Sequence, residues 1–285
     1  MRWFNLCIVL AASFFFASCS SGNFLDYKKV AEKYNLPKSV EPGDYPEDDG
    51  VVLLSTTDIN MELYSHSITT EETVHKMKKL FKNIEKYAFV EIDVYDSEKL
   101  DKISARTIKA DGTSIVIKPE EFYESTGKGD ESVFYSDKKT IKFTFPSVEK
   151  NCIIEYEYTK TKSFPFMTDV WYIHNSLPTL VNTYTLSIPK ILMEPRLNGG
   201  AGWNWNYKTH NYFLDNPVVD AETTLKDLGK EKVIYRWSLK NVEPFKEEVL
   251  MPPTDDYIGY VKFAPSDWKQ WKDISEWYYK RYFEP

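Results

Sequence analysis

Four histidines and three cysteines in 285 residues leave little material for metal or thiol chemistry. No two of His66, His75, His174 and His210 stand at a ligand spacing, so no zinc site and no other cofactor is expected. Cys7 falls within an amino-terminal leader and Cys19 at its end, which leaves Cys152 alone in the mature chain. No internal disulfide can then form, even in an oxidising compartment. A Cys/His/Asp triad fails on the same count, because nothing in the sequence around Cys152 would activate it, and no catalytic residue is assigned. An excess of basic charge is also missing. Lys and Arg number 36 against 43 Asp and Glu, a net charge of −7, which removes the footprint of a nucleic-acid-binding protein. Past the leader, no apolar run is long enough to cross a bilayer as a helix.

What the chain has in quantity is aromatic side chains: 20 Tyr, 17 Phe and 8 Trp, 16% of all residues, a weighting that suits strands. The densest strand signal lies between Lys142 and Lys190. In Cys152–Tyr158, Ile154, Tyr156 and Tyr158 fall on one face and Ile153, Glu155 and Glu157 on the other. Further strands are expected at Val51–Leu54, Ile59–Ser67, Glu71 to about Lys79, Phe89–Val94, Ile103–Ala110, Ser114–Lys118, Ser132–Tyr135, Lys139–Phe145, Val170–Ile173, Thr183–Ile188 and Val233–Leu239, with a short helix over Lys82–Tyr87. Asp111-Gly112 between two alternating runs marks a hairpin. The fold class is all-β, a mainly antiparallel β-sandwich over residues 47–250. Residues 251–285 read as a connector ending in an amphipathic helix. Cys152, on a buried strand, reads as an inert core residue.

Residues 1–18 read as a signal peptide. Arg2 gives a positive start, Leu6–Phe16 an apolar run, and Phe16-Ala17-Ser18-Cys19 resembles the lipobox of bacterial lipoproteins. That resemblance implies cleavage before Cys19, its lipidation, and export. Ser20, where an inner-membrane retention signal would place Asp, points to the outer membrane facing the periplasm. Residues 19–46 then form a tether, with one short amphipathic turn at Tyr27–Tyr34 before Pro37, Pro42 and Pro46. Glu47-Asp48-Asp49-Gly50 lacks the alternating ligands of a calcium loop and reads as a solvated turn.

Several segments, taken together in order and spacing, resemble one bacterial family. They are Asp49-Gly50-Val51-Val52-Leu53-Leu54, Ala105-Arg106-Thr107-Ile108-Lys109-Ala110-Asp111-Gly112, Tyr135-Ser136-Asp137 with Phe145-Pro146, and Ile154-Glu155-Tyr156-Glu157-Tyr158. Leu177-Pro178, Ile188-Pro189, Trp237 with Asn241 to Glu248, and Trp268 to Tyr279 continue the series. The chain is similar, from about residue 49 onward, to the domain of unknown function that precedes transglutaminase-like domains in exported bacterial proteins. Cys152 stands where that family commonly has Gly. The resemblance places a papain-like catalytic domain after Tyr279, which is not in these 285 residues.

The expected role is a non-catalytic envelope module, anchored to the membrane by lipid, that supports or positions a transglutaminase-like domain or partner. The alternatives are the amino-terminal piece of a transglutaminase-like cysteine peptidase and a freestanding lipoprotein that binds peptide or carbohydrate. Trp203, Trp205 and Tyr207 share a strand face that either lines the sandwich or contacts an envelope peptide or glycan. Trp268, Trp271, Ile274, Tyr278 and Tyr282 share a helix face expected to dock on a partner domain, with Ser266 capping the helix and Asp267 in its first turn.

Overall fold

The computed structural model describes residues 27–64, 67–126, 138–162, 170–190, 205–210, 218–220, 232–246, 250–251, 253, 256–265 and 270–283. In chain order the elements begin with helix α1 (Tyr27–Tyr34), then β1 (Gly50–Tyr64), β2 (Ser67–Leu80), β3 (Phe89–Tyr95), β4 (Glu98–Ile108), β5 (Ser114–Val116) and β6 (Tyr123–Thr126). There follow β7 (Lys138–Thr144), β8 (Ile153–Lys162), β9 (Trp171–Tyr172), β10 (Thr179–Pro189), β11 (Trp205–His210), β12 (Val218–Asp220), β13 (Lys232–Val242), β14 (Tyr260–Pro265) and helix α2 (Trp271–Tyr282).

One long sheet carries the molecule, in the order β12-β13-β10-β1-β2-β8-β4-β5. Its pairs are antiparallel except β1 with β10, which run parallel. Two small sheets, β3-β7-β6 and β11-β14-β9, complete a sandwich.

Register shows that both small sheets cover the same face. Val52 lies opposite Lys78, and Lys78 opposite Ile154, so Val52 and Ile154 share a face. A bulge between Val52 and Leu54 then reverses the parity of β1, as one extra residue must. Ile59, opposite Glu72, returns to the face of Val52. Val52, Ala105, Ile154 and Tyr156 form one core with Ile92, Val94 and Phe143 of the first small sheet. Ile59, Met61, Tyr184, Leu186 and Trp237 form a second core with Trp171, Val261 and Phe263 of the other. Where the two cores part, Glu72 and Glu98 each pair with both Lys160 and Lys162 at 3.0–3.7 Å, largely out of solvent.

The opposite face is covered at one end by the amino-terminal segment. Val30, Leu36 and Val40 pack there against Val51, Leu54, Met77 and Phe81. Asn35 ends α1 in the left-handed conformation (φ 51°), and Leu36 N–H reaches back to Ala31 C=O at 2.8 Å, a Schellman-type stop with Pro37 following. The turn expected at Tyr27–Tyr34 is thus a helix, and the stretch from Val30 to Val40, read as tether, is docked on the sheet.

Other expectations shift in detail. Val51–Leu54 and the stretch from Ile59 to Tyr64 belong to one strand, because the bulge interrupts the alternation without interrupting pairing, while Ser67 opens β2. The helix expected at Lys82–Tyr87 is a 3-10 turn, Ile84–Tyr87. The Asp111-Gly112 hairpin joins β4 to β5, with Gly112 at φ 87°. β14, within the stretch read as connector, contributes fully buried Val261 and Phe263 to the second core. Ser132–Tyr135 lies outside the described residues.

Candidate binding cleft

The polar loop 47–49 ahead of β1 is a structural bracket rather than a solvated turn. Asp49 C=O accepts the N–H groups of Phe81 and Lys82 at 2.7 and 2.9 Å. Its carboxylate accepts from Asn83 Nδ2 at 2.7 Å and from the Tyr87 hydroxyl at 3.1 Å. Burial and the adjacent Asp49 push the Tyr87 phenol up to about 12. Loop 47–49 and the Ile84–Tyr87 turn are thereby fixed to each other.

They form one side of a cleft of about 640 Å³. The other side is the β9–β10 turn, His174 to Leu177, with Phe245 and Lys246 after β13 and Ile258 before β14. Phe245 N–H donates to Asn175 C=O at 2.9 Å, Asn175 Nδ2 to Thr179 Oγ1 at 3.0 Å, and His174 Nδ1 lies 3.0 Å from Glu243 C=O. Lys246 and Asp48 form an ion pair across the cleft at 3.4 Å. Leu177 and Ile258 are buried in its floor, while Glu47, Lys86 and Ser176 are exposed at its rim. A concave site with an apolar floor and a few fixed polar groups is the usual form of a small-ligand pocket. Sequence reading missed it because its walls come from four separate connections with no shared motif.

Two further groups stand out. On the face away from the small sheets, Glu155 is fully buried and paired with His75 Nε2 at 2.8 Å and Arg106 Nε at 2.5 Å. On the core face, Lys78 stands 5.9 Å from the centre of the Tyr87 ring, and burial, with Lys76 adding repulsion, lowers its ammonium to about 8.

The residues singled out in the sequence do not converge on the cleft. Cys19, Trp203 and Trp268 lie outside the described residues. Trp205 and Tyr207 are in β11, opposite Pro265 and Phe263 of β14. Trp271, Ile274, Tyr278 and Tyr282 are in α2, where Trp271 is 84% exposed, Tyr278 half exposed and Ile274 half-buried. Helix α2 begins at Trp271, and the cap expected at Ser266 and Asp267 lies outside the described residues. Gln270 is its cap, and Asp273 reaches back to accept the Gln270 N–H at 3.0 Å. Cys152 is fully buried immediately before β8, one residue short of the strand expected to hold it, and burial raises its thiol pKa. Among the described residues no group of three His, Cys, Asp or Glu is placed to hold a metal ion.

A family model described as a domain of unknown function with a solved structure, DUF3857, matches residues 66–246. The chain belongs to the DUF3857 family. That membership agrees with the resemblance carried by the ordered segments. Among curated proteins none matches the sequence. A solved structure from Parabacteroides distasonis, of a protein assigned as a protease, superposes with a TM-score of 0.59 at 15% identity. The match takes in 75% of this chain and 40% of that one, so the DUF3857 chain spans well under half of its neighbour. Legionella pneumophila aminopeptidase A, solved with aspartic acid, gives a TM-score of 0.34 at 11% identity over 80% of this chain and 22% of its own. A protein of the same organism assigned to nutrient binding gives 0.33 at 8%, over 81% and 72%. The first of these shares the fold; the other two carry no argument.

Proposed function

We propose that the chain is a non-catalytic, lipid-anchored module of the cell envelope that supports or positions a transglutaminase-like or protease domain. One observation carries this reading. The fold recurs as a 40% portion of a protein assigned as a protease, which leaves most of that protein to something else. The buried Cys152 thiol supports it, since a raised pKa opposes the thiolate that acyl transfer needs. The exposed aromatic residues of α2 supply a surface on which such a domain could rest.

The anchor and the role are tested separately. Cys19→Ala should leave the leader unprocessed by the lipoprotein peptidase, and globomycin should block processing of the unaltered protein. A mature chain with an unmodified amino terminus rules the anchor out. The chain alone should show no amidase, peptidase or transglutaminase turnover. Native Cys152 should react with a thiol probe far more slowly than in denaturant. Turnover abolished by Cys152→Ala would overturn the non-catalytic assignment. A second reading, a freestanding envelope protein that binds peptide or carbohydrate, is favoured by the cleft.

A further inference from the structure

The cleft combines both signs of charge, and most of its charged groups are already engaged. Asp49 is bound to Asn83 and Tyr87, and Asp48 is paired with Lys246. Two rim charges remain. Glu47 has no ion-pair or hydrogen-bond partner among the described residues. The Lys86 side chain has no ion-pair partner among the described residues, and its ammonium lies 5.4 Å from the centre of the Tyr87 ring, against the cleft wall. Both stand on the side formed by loop 47–49 and the Ile84–Tyr87 turn, beside an apolar floor of Leu177 and Ile258.

Opposite charges on one wall beside an apolar floor suit a ligand that is itself cationic at one end and anionic at the other, with an apolar group turned to the floor. We propose that the cleft binds a short peptide with both termini free. Its ammonium would face Glu47, its carboxylate Lys86, and an apolar side chain would rest on Leu177 and Ile258. A volume of about 640 Å³ lies in the range of small-ligand pockets, roughly 300–1,000 Å³, and accommodates a dipeptide. The walls are held by hydrogen bonds the ligand does not have to make, which lowers the ordering cost of binding. The proposal extends the binding reading. Its failure leaves the supporting role intact, because that role rests on the shared fold.

The probe is L-alanyl-L-phenylalanine, titrated calorimetrically into the purified protein. N-acetylated and C-amidated forms of the same dipeptide remove one charge each without altering the protein. The expected result is saturable binding of the free dipeptide, weakened about tenfold or more by either block; tenfold is about 1.4 kcal/mol. Both rim residues are exposed, so Glu47→Gln and Lys86→Met should fold normally. In Glu47→Gln, acetylation should no longer matter. In Lys86→Met, amidation should no longer matter. Equal binding of free and blocked dipeptides, binding untouched by both substitutions, or no binding at about 10 mM, a limit near 3 kcal/mol, would each overturn the proposal. Binding of N-acetylglucosamine oligomers that depends on Glu47 and Lys86, with none of the dipeptide, would assign the cleft to glycan instead.

Discussion

Tyr87 donates its hydroxyl to Asp49 across 3.1 Å, joining the turn before β3 to the loop before β1. Burial first, and then the Asp49 charge, raise the phenol from 10 to about 12. Above pH 10 the unfolded chain loses this proton while the folded protein keeps it. The stabilisation is therefore complete below pH 10 and is lost as pH rises from 10 toward about 12. Urea midpoints measured on both sides of pH 10 should fall over that window, and Tyr87→Phe should fall less. Identical alkaline profiles for the two proteins would remove Tyr87 from this role.

Glu155 should be among the costliest side chains to delete. Its two oxygens are matched to His75 and Arg106, and the carboxylate itself is out of solvent. Removing the carboxylate takes from both His75 and Arg106 a partner held out of solvent, an effect on the order of 3–5 kcal/mol. Denaturant unfolding of Glu155→Ala should register that loss, and an apolar replacement of Glu155, His75 and Arg106 together should recover much of it. A loss below about 1 kcal/mol for the single substitution would place the pair among surface ion pairs.

At Gly50 the backbone of β2 leaves no room for a side chain. A Cβ at that position would sit 2.4 Å from the Lys79 carbonyl oxygen and 3.2 Å from Leu80 Cα. Both are backbone atoms, so the strands must separate. Gly50→Ala is expected to cost roughly 1–3 kcal/mol, as overpacking does. Thermal unfolding provides the measurement, and an unchanged midpoint would show that the pair yields freely.

The sequence made the strands of the first core visible because Ile154, Tyr156 and Tyr158 alternate without interruption and Asp111-Gly112 marks its hairpin. Two kinds of feature escaped. The bulge at Leu53 breaks the period of β1, so a single 15-residue strand reads as two. The parallel pairing of β1 with β10, and the return of β14 to the second core, depend on contacts more than a hundred and nearly ninety residues apart respectively, which no local pattern encodes. The cleft is invisible for the same reason. Glu47, Lys86, His174, Phe245 and Ile258 meet only after both small sheets have closed on the long one.

Helix α2 carries exposed aromatic side chains. Its capping box at Gln270 and Asp273 and the Lys272–Glu276 pair at 3.6 Å make it a locally competent helix, although twelve residues are marginal alone. Trp271, Tyr278, Tyr279 and Phe283 are all more than half exposed. The rings of Tyr278 and Tyr279 lie 6.1 and 5.9 Å from that of Phe283, so three aromatics cluster at one end. A buried aromatic side chain covers about 150–250 Å², and four of them open to water exceed the few hundred Å² a soluble monomer usually leaves uncovered. Asp273 and Glu276 disfavour an anionic lipid surface as the cover. The purified protein is therefore expected to self-associate through residues 267–285, with Trp271 protected from iodide in the oligomer. Deleting those residues should give a stable monomer by light scattering. A full-length monomer whose melting temperature drops by several degrees on the deletion would mean that α2 belongs to the sandwich, and docking through this helix would be wrong.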